Sequence, residues 1–107
     1  MSPFLQVEDI PDFKIVPGIV GKMIHTDQMT VAHVRIEAGS VLPEHHHVHE
    51  QITNIISGEL ELTVAGETQV CTAGMSVVIP SHVPHSARAL TDCYAIDVFQ
   101  PARTEYR

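Results

Sequence analysis

The sequence predicts an all-β fold, a jelly roll or small barrel. Three observations lead to this prediction: short β-type runs recur along the chain, turn residues separate them, and no segment has helical spacing long enough to compete. With 107 residues and 44% hydrophobic content, the chain suits one modest core and is short for two. We therefore expect residues 1–107 to form a single domain.

Eight runs are the predicted strands, in chain order residues 13–16, 19–24, 29–37, 52–57, 59–64, 68–71, 76–79 and 93–99. In residues 59–64 apolar and polar side chains alternate, which places Leu60, Leu62 and Val64 on one buried face. Ala65 and Gly66 then close a hairpin. Trp is absent, so the Cys-Trp-Cys core of an immunoglobulin sandwich is excluded, and closely spaced strands favour a jelly roll.

Two similar stretches precede the two histidine-rich segments of the chain. Residues 39–43 and 74–80 each begin with Gly and end with Pro, as two β-corners facing a shared centre would. After the last predicted strand, the tail turns at Pro101 and could cap the mouth of a barrel.

Composition excludes several classes of partner. The formal net charge is -7, with six Lys plus Arg against thirteen Asp plus Glu, so no basic stripe is available for nucleic acid or anionic lipid. An anionic small molecule remains compatible, because salt screens exposed charge beyond about 8 Å.

The N-terminal residues lack signal-peptide features and no stretch is apolar enough to span a membrane, so we expect a cytoplasmic protein. Cys71 and Cys93 have no metal-site spacing and are expected to be reduced and structural.

Histidines are concentrated in two short segments. Six of the eight lie within residues 45–49 and 82–85, and imidazole clusters usually bind metal. In an extended segment, His45 and His47 share one face and His46 points away. Gln51 would lie on the same face of a strand as His47, but roughly 13 Å from it if the strand were straight. The chain must therefore bend between them, through residues 48–50.

Other histidines have more than one interpretation. The cluster as a whole could instead be a solvated patch, although its internal position argues against a tag. His46 and His49 are expected at the surface or behind the ligands, and His82 is ambiguous. His33 could face the barrel interior, or be a hydrogen-bonded core histidine, which we favour; Arg35 on the same face is a weak candidate for an interior cation.

The histidine segments resemble the two motifs of the cupin superfamily. In the first motif, residues 39–58, Gly39, His45, His47 and Gly58 match, with Gln51 where Glu is usual. In the second, residues 74–89, His85 matches, whereas His82 stands at the usual glycine and Ala89 at the usual asparagine. The resemblance implies a cupin double-stranded β-helix, a jelly-roll barrel, that binds one divalent ion (Ni, Zn, Mn, Fe or Co) through four residues: His45, His47, Gln51 and His85.

Two longer segments, residues 43–51 and 97–106, resemble the KdgF pectin-degradation subgroup of cupins. This resemblance implies a ring-opening enzyme, which converts 4,5-unsaturated uronate monomers from pectin or alginate to a linear ketouronate, with Asp97, Phe99 and Arg103 as catalytic residues. The positions suit the task, because Asp97 and Phe99 share a strand face and Arg103 can return over the same opening. Without the resemblance, Asp97 could form a turn, Phe99 could be core and Arg103 could be a surface cation.

Two other classes of function compete with the uronate hypothesis. One is a metal-dependent dioxygenase of a small organic substrate, for which Gln51 is unfavourable because it removes the carboxylate of the usual iron triad. The other is a non-catalytic cupin that binds a sugar or effector.

In each case we expect a homodimer, because a short jelly roll leaves strand edges and N-terminal strands that can pair or swap.

Overall fold

The structure is a computed structural model that describes residues 2–107, and it contains ten strands and two short 3-10 helices. The helices, Val7–Asp9 and Thr104–Tyr106, lie near the two chain ends. The strands are β1 Phe13–Val16, β2 Ile19–His25, β3 Thr30–Ile36, β4 Val41–His45, β5 Glu50–Ser57, β6 Leu60–Val64, β7 Glu67–Cys71, β8 Ser76–Ile79, β9 His85–Ala89 and β10 Cys93–Gln100. The predicted all-β class is confirmed.

The expectation of eight strands was too low, because β4 and β9 were not predicted. Both are short, and both have few β-branched residues and polar side chains at half-buried positions. β4 also contains Pro43, and its pairing with β9 is irregular between Leu42 and His45. Proline is tolerated there because an irregular stretch does not require every backbone N–H.

The strands form two antiparallel sheets. One has six strands in the order β1-β2-β3-β10-β5-β8, and the other has four in the order β4-β9-β6-β7. The predicted hairpin is present: Ala65 and Gly66, with φ of 50° and 82°, join β6 to β7. Positive φ at both positions is the conformation that a two-residue type I′ turn requires.

The inward faces of the two sheets enclose one core, and the strand register arranges it in layers. Thr30, Phe99 and Gln51 are cross-strand neighbours in one layer of the six-stranded sheet. The next layer, two residues away on each strand, contains Ala32, Asp97 and Thr53. Deeper layers are apolar, with Val34, Ala95 and Ile55 among the buried residues. The polar side chains therefore occupy one end of the barrel.

Cys71 and Cys93 are buried, free thiols, as expected.

The outward face of the six-stranded sheet corrects two predictions. His33 is not a core residue and does not face the interior: it lies on the outer face, where its Nδ1 is 2.5 Å from the hydroxyl of Tyr94. Arg35 also points outward and donates to Asp12 at 2.6 Å. The inward positions of β3 are occupied by Ala32, Val34 and Ile36, because these side chains pack into the core.

Within residues 2–107, the structure has no helix that is long and apolar enough to cross a membrane.

Candidate metal centre and the adjoining cavity

Three histidines meet at the polar end of the barrel. His45 ends β4, His85 begins β9, and the two are direct cross-strand partners. His47 follows β4, and the chain then bends at residues 48–49 before β5, as the spacing to Gln51 required. One side-chain nitrogen from each histidine lies within 4.8 Å of the others, so this cluster could hold one metal ion.

The ring orientation of each histidine is held by its own backbone neighbourhood. Nδ1 donates to a carbonyl oxygen in every case: from His45 to Pro43 at 2.9 Å, from His47 to His49 at 3.0 Å and from His85 to Val83 at 2.8 Å. A carbonyl can only accept, so the proton must be on Nδ1. The lone pair of each neutral ring is consequently on Nε2, which is the arrangement of a pre-organised metal ligand.

Burial keeps two of the rings neutral. The pKa of His47 is lowered to about 4, first by burial and then by the charge of Arg103. Burial likewise lowers the pKa of His85. Neutral imidazole is the form that binds metal, so these ligands do not have to lose a proton near neutral pH.

An unpartnered atom shows that the residues fit a cation. Nε2 of His85 is buried and has no hydrogen-bond partner among residues 2–107. Leaving a buried polar atom unpaired costs about 1–3 kcal/mol, which coordination would recover. The donor set of three imidazole nitrogens suits a divalent transition metal rather than calcium or magnesium, which prefer oxygen.

Gln51 lies beside this cluster. Its Nε2 donates to Thr53 Oγ1 at 2.9 Å, which directs its Oε1 toward Nε2 of His47 at 3.1 Å. Both of these facing atoms are acceptors, because the His47 proton is on Nδ1. A cation bound at this point would take a lone pair from each of these two atoms.

The remaining histidines of the two segments surround the cluster without joining it. His46 is exposed, with its ring 6.4 Å from that of His82. His82 contributes through its backbone N–H, which donates to the carbonyl of His47 at 2.7 Å. His49 is 8% exposed and packs on Phe99, so it lies behind the ligands rather than at the surface.

A cavity of about 60 Å³ opens beside the histidines inside the barrel. One part of its wall is polar and the rest is aliphatic, the latter including Val34, Ile36, Leu60 and Leu62. The polar wall residues are His45, Gln51, Thr53, His85, Ser86, Asp97, Arg103 and Tyr106. Any polar ligand in this cavity would therefore be oriented toward the histidine end.

Asp97 belongs to this wall and is inside β10, so it does not form a turn. Its Oδ1 is buried and has no hydrogen-bond partner among the described residues. Burial raises the pKa of Asp97 to about 6, although the polar side chains of Thr53 and Gln51 and the charge of Arg103 oppose the shift. The flanking residues explain the burial, since Ala32 and Thr53 on the neighbouring strands are 1% and 3% exposed.

Phe99 and Arg103 complete the polar end. Phe99 is 3% exposed and belongs to the core, yet its ring also lines the cavity. Arg103 is buried rather than a surface cation, and its Nε donates to Glu105. Its Cζ lies 4.8 Å from the ring centre of Phe99 and 4.3 Å from that of Tyr106. The residues predicted as catalytic therefore share one cavity with His45 and His85 of the histidine cluster.

The structure adds residues that the sequence analysis did not select. Thr30 Oγ1 accepts from the Arg103 backbone N–H at 2.8 Å and lies 2.8 Å from His25 Nδ1. Nε2 of His25 contacts the carbonyl of Tyr106 at 3.3 Å. These contacts hold the tail over the cavity. No local pattern could have indicated this, because His25 and Tyr106 are 81 positions apart.

Comparisons with known proteins agree with this geometry. The family model of the cupin domain matches residues 32–99. The chain is 24% identical to the pectin degradation protein KdgF of Dickeya dadantii (strain 3937) over 102 residues, which cover 92% of this chain and 93% of that protein.

Two solved structures resemble the whole chain. An RmlC-like cupin from Shewanella frigidimarina NCIMB 400 superposes with a TM-score of 0.94 at 29% identity, covering 100% of this chain and 97% of the other. KdgF from Halomonas sp. superposes with a TM-score of 0.90 at 30% identity, covering 98% of each chain. The ectoine synthase from P. lautus, at 23% identity and a TM-score of 0.85, shows a shared fold alone.

Proposed function

We propose that this chain, which belongs to the cupin domain family, is a metal-dependent enzyme that opens the ring of 4,5-unsaturated uronate monomers to give a linear ketouronate. One observation carries the proposal: His45 and His85 of the histidine cluster, Asp97 with its unpartnered buried carboxylate oxygen, and Arg103 line a single cavity. Similarity to KdgF proteins along nearly the full length supports the choice of substrate class.

His45, His47, Gln51 and His85 would hold one divalent ion from the group Ni, Zn, Mn, Fe and Co. Such an ion supplies Lewis acidity toward substrate oxygens when bound. The four ligands are neutral, so they leave the charge of the ion uncompensated. His85 contributes a buried Nε2 that has no hydrogen-bond partner among the described residues, and Gln51 contributes the Oε1 that faces His47.

Arg103 would bind the carboxylate of the sugar acid. It is the one lysine or arginine among the cavity-lining residues that the structure describes. A planar guanidinium matches a carboxylate with two parallel hydrogen bonds. Phe99, over whose ring the guanidinium lies, would contact the sugar ring beside it.

Asp97 would move the protons. Ring opening breaks the bond between the anomeric carbon and the ring oxygen: the anomeric hydroxyl loses its proton and becomes an aldehyde, and the ring oxygen takes the bonding electron pair and becomes an enolate oxygen. The enolate then becomes a ketone as the proton that Asp97 accepted is added at C4. Substrate and product are isomers, so no oxidant is required. A carboxylate that accepts the first proton and delivers the second is a general base and then a general acid.

A direct assay tests this function. Freshly generated unsaturated galacturonate is mixed with metal-loaded protein, and loss of the C4=C5 ultraviolet absorbance is followed. We expect acceleration over buffer that is lost after chelation and in Asp97→Asn. No acceleration by the wild-type protein would refute the proposal, and consumption of dioxygen would favour the dioxygenase alternative.

We also propose that the partner of this chain is a second copy. The outer face of the six-stranded sheet carries an unbroken aliphatic row of cross-strand neighbours: Ile24, Val31, Val98, Ile52 and Val78. Ile52 is 43% exposed and Val78 is 67% exposed. Five strands at about 4.8 Å spacing make this row about 19 Å long. A row of like side chains is complementary to itself across a two-fold axis.

Sedimentation equilibrium tests the second copy. We expect a wild-type dimer at micromolar concentration that Ile52→Lys dissociates. Val70→Lys is the matched control, because Val70 is 44% exposed on β7 of the other sheet. A wild-type monomer, or equal effects of both substitutions, would exclude this face as the interface.

A further inference from the structure

The Arg103 side chain is held by an ion pair at one of its three nitrogens. Its Nε donates to Oε1 of Glu105. The hydroxyl of Tyr106 also interacts with the guanidinium, and within residues 2–107 no carboxylate other than that of Glu105 forms an ion pair with Arg103. The Arg103 side chain is 10% exposed, whereas that of Glu105 is 48% exposed. The protein thus anchors the inner part of the guanidinium and leaves the Nη groups for a ligand.

Two kinds of contact together define the orientation of this group. The rings of Phe99 and Tyr106, at 4.8 and 4.3 Å from Cζ, restrict movement toward either ring. Aromatic contacts do not restrict rotation of a guanidinium within its own plane. The directional hydrogen bond to Glu105 does, because hydrogen bonds weaken steeply when they are misaligned.

We infer that Glu105 is a positioning residue, which orients the Nη groups of Arg103 to bind the carboxylate of an acidic sugar. The inference rests on the proposed function for its choice of ligand. Glu105 has no role in proton transfer and acts through Arg103 alone. A competing effect is repulsion between Glu105 and the ligand carboxylate. Solvent weakens that repulsion because Glu105 is half-exposed. The loss of affinity from a misoriented Arg103 guanidinium is not reduced in this way, because that group is buried.

The backbone of the tail does not depend on Glu105. The Arg103 N–H donates to Thr30 Oγ1, Thr30 lies against His25 Nδ1, and Nε2 of His25 contacts the Tyr106 carbonyl. Because the carbonyl only accepts, Nε2 carries the proton and Nδ1 accepts from the Thr30 hydroxyl. These bonds join the tail to β2 and β3, so substitutions at Glu105 should leave the fold intact.

Kinetics of two variants test the inference. Glu105→Gln keeps an acceptor for Arg103 Nε, and Glu105→Ala removes it. With unsaturated galacturonate and saturating metal, we expect Glu105→Ala to raise KM about tenfold or more, with kcat within about twofold of wild type. Glu105→Gln should remain within about threefold of wild type in KM. Glu59→Ala, at an exposed glutamate on the loop before β6, is the control and should change neither constant. Lower KM in both Glu105 variants would show that repulsion prevails and overturn the inference.

A measurement without turnover separates this inference from the reaction. In zinc-loaded protein, the Arg103 Nε–Hε resonance is compared between wild type, Glu105→Gln and Glu105→Ala, and affinity for D-galacturonate is measured by titration. We expect Glu105→Ala alone to move the resonance toward that of a solvated arginine and to weaken D-galacturonate binding. If wild type opens no ring but this pattern appears, the proposed reaction fails and the positioning role stands. If wild type is active and KM, affinity and resonance are the same in all three proteins, the positioning role fails and the reaction stands.

Discussion

Gln51 Oε1 lies 3.1 Å from His47 Nε2, the nitrogen that is left without a proton by the hydrogen bond from His47 Nδ1 to the His49 carbonyl. Thr53 holds the amide in this orientation by accepting from Gln51 Nε2. The barrel therefore directs two acceptors toward one point, and a neutral amide takes the place that a carboxylate usually has in this motif.

Replacing Gln51 with glutamate tests the importance of that neutrality. Gln51→Glu should bind a divalent ion at least about tenfold more tightly, because the added carboxylate attracts the ion. It should also lower the ring-opening rate, since the same carboxylate reduces the Lewis acidity of the ion. Competition with a chelating dye measures the affinity. Gln69→Glu, an equal change of charge at an exposed residue of β7, is the control. Equal affinities of the two variants would remove Gln51 from the ligand set.

The histidine cluster makes a prediction about which rings bind metal. His85→Ala should weaken metal binding about 100-fold or more, because it removes one of three mutually adjacent nitrogens. His46→Ala and His82→Ala should leave affinity nearly unchanged, because these two rings lie outside the cluster. Isothermal titration with Zn²⁺ measures all four proteins. A loss in His46→Ala as large as that in His85→Ala would contradict the assignment.

Asp97 gives a prediction about stability and pH in the metal-free protein. Its folded-state pKa, about 6, is above the ordinary value of 3.8, so the folded state binds more protons between these values. The stability associated with protonated Asp97 is fully present below about pH 4 and is lost as the pH rises through 6. Asp97→Asn cannot ionise and should therefore be more stable than wild type at pH 7.5, by at most about 3 kcal/mol. The difference should disappear at pH 4.

Urea unfolding of chelated protein at both pH values measures this effect. Asp12→Asn is the control of opposite sign, because hydrogen bonds to Arg35 and Lys22 lower the pKa of the exposed Asp12. It should not increase stability at pH 7.5. An Asp97→Asn protein that is less stable than wild type at pH 7.5 would show that the carboxylate is stabilised rather than strained.

Gly58 and Gly74 provide a stability prediction that is independent of metal. Both have positive φ, 88° and 92°. A Cβ at Gly58 would lie 2.2 Å from the Asp92 carbonyl oxygen and 2.8 Å from Cys93 Cα, whereas a Cβ at Gly74 meets nothing within 4 Å. Gly58→Ala should cost about 2–4 kcal/mol, because backbone must move, and Gly74→Ala about 1–2 kcal/mol from the left-handed conformation alone. Equal costs in chemical denaturation would contradict this.

Much of the fold follows from local information. Alternation in residues 59–64 and the Ala65-Gly66 turn predicted a hairpin that the structure contains, because side-chain period and turn conformation are properties of neighbouring residues. The spacing of His45, His47 and Gln51 likewise required a bend, and the bend is present. The strands β4 and β9 escaped prediction because their polar residues are stabilised by pairing with each other, not by local propensity.

The sequence by itself determined the all-β class, the two histidine segments and the parity that puts His33 and Arg35 on one face of β3. Parity cannot tell which face is inside, and only packing against the four-stranded sheet turned these two side chains outward and Ala32, Val34 and Ile36 inward. The register of β4 with β9 brought His45 opposite His85. Closure of the tail onto Thr30 placed Arg103 beside the cavity. These are contacts between residues far apart in the chain, so their free energy exists only in the folded state.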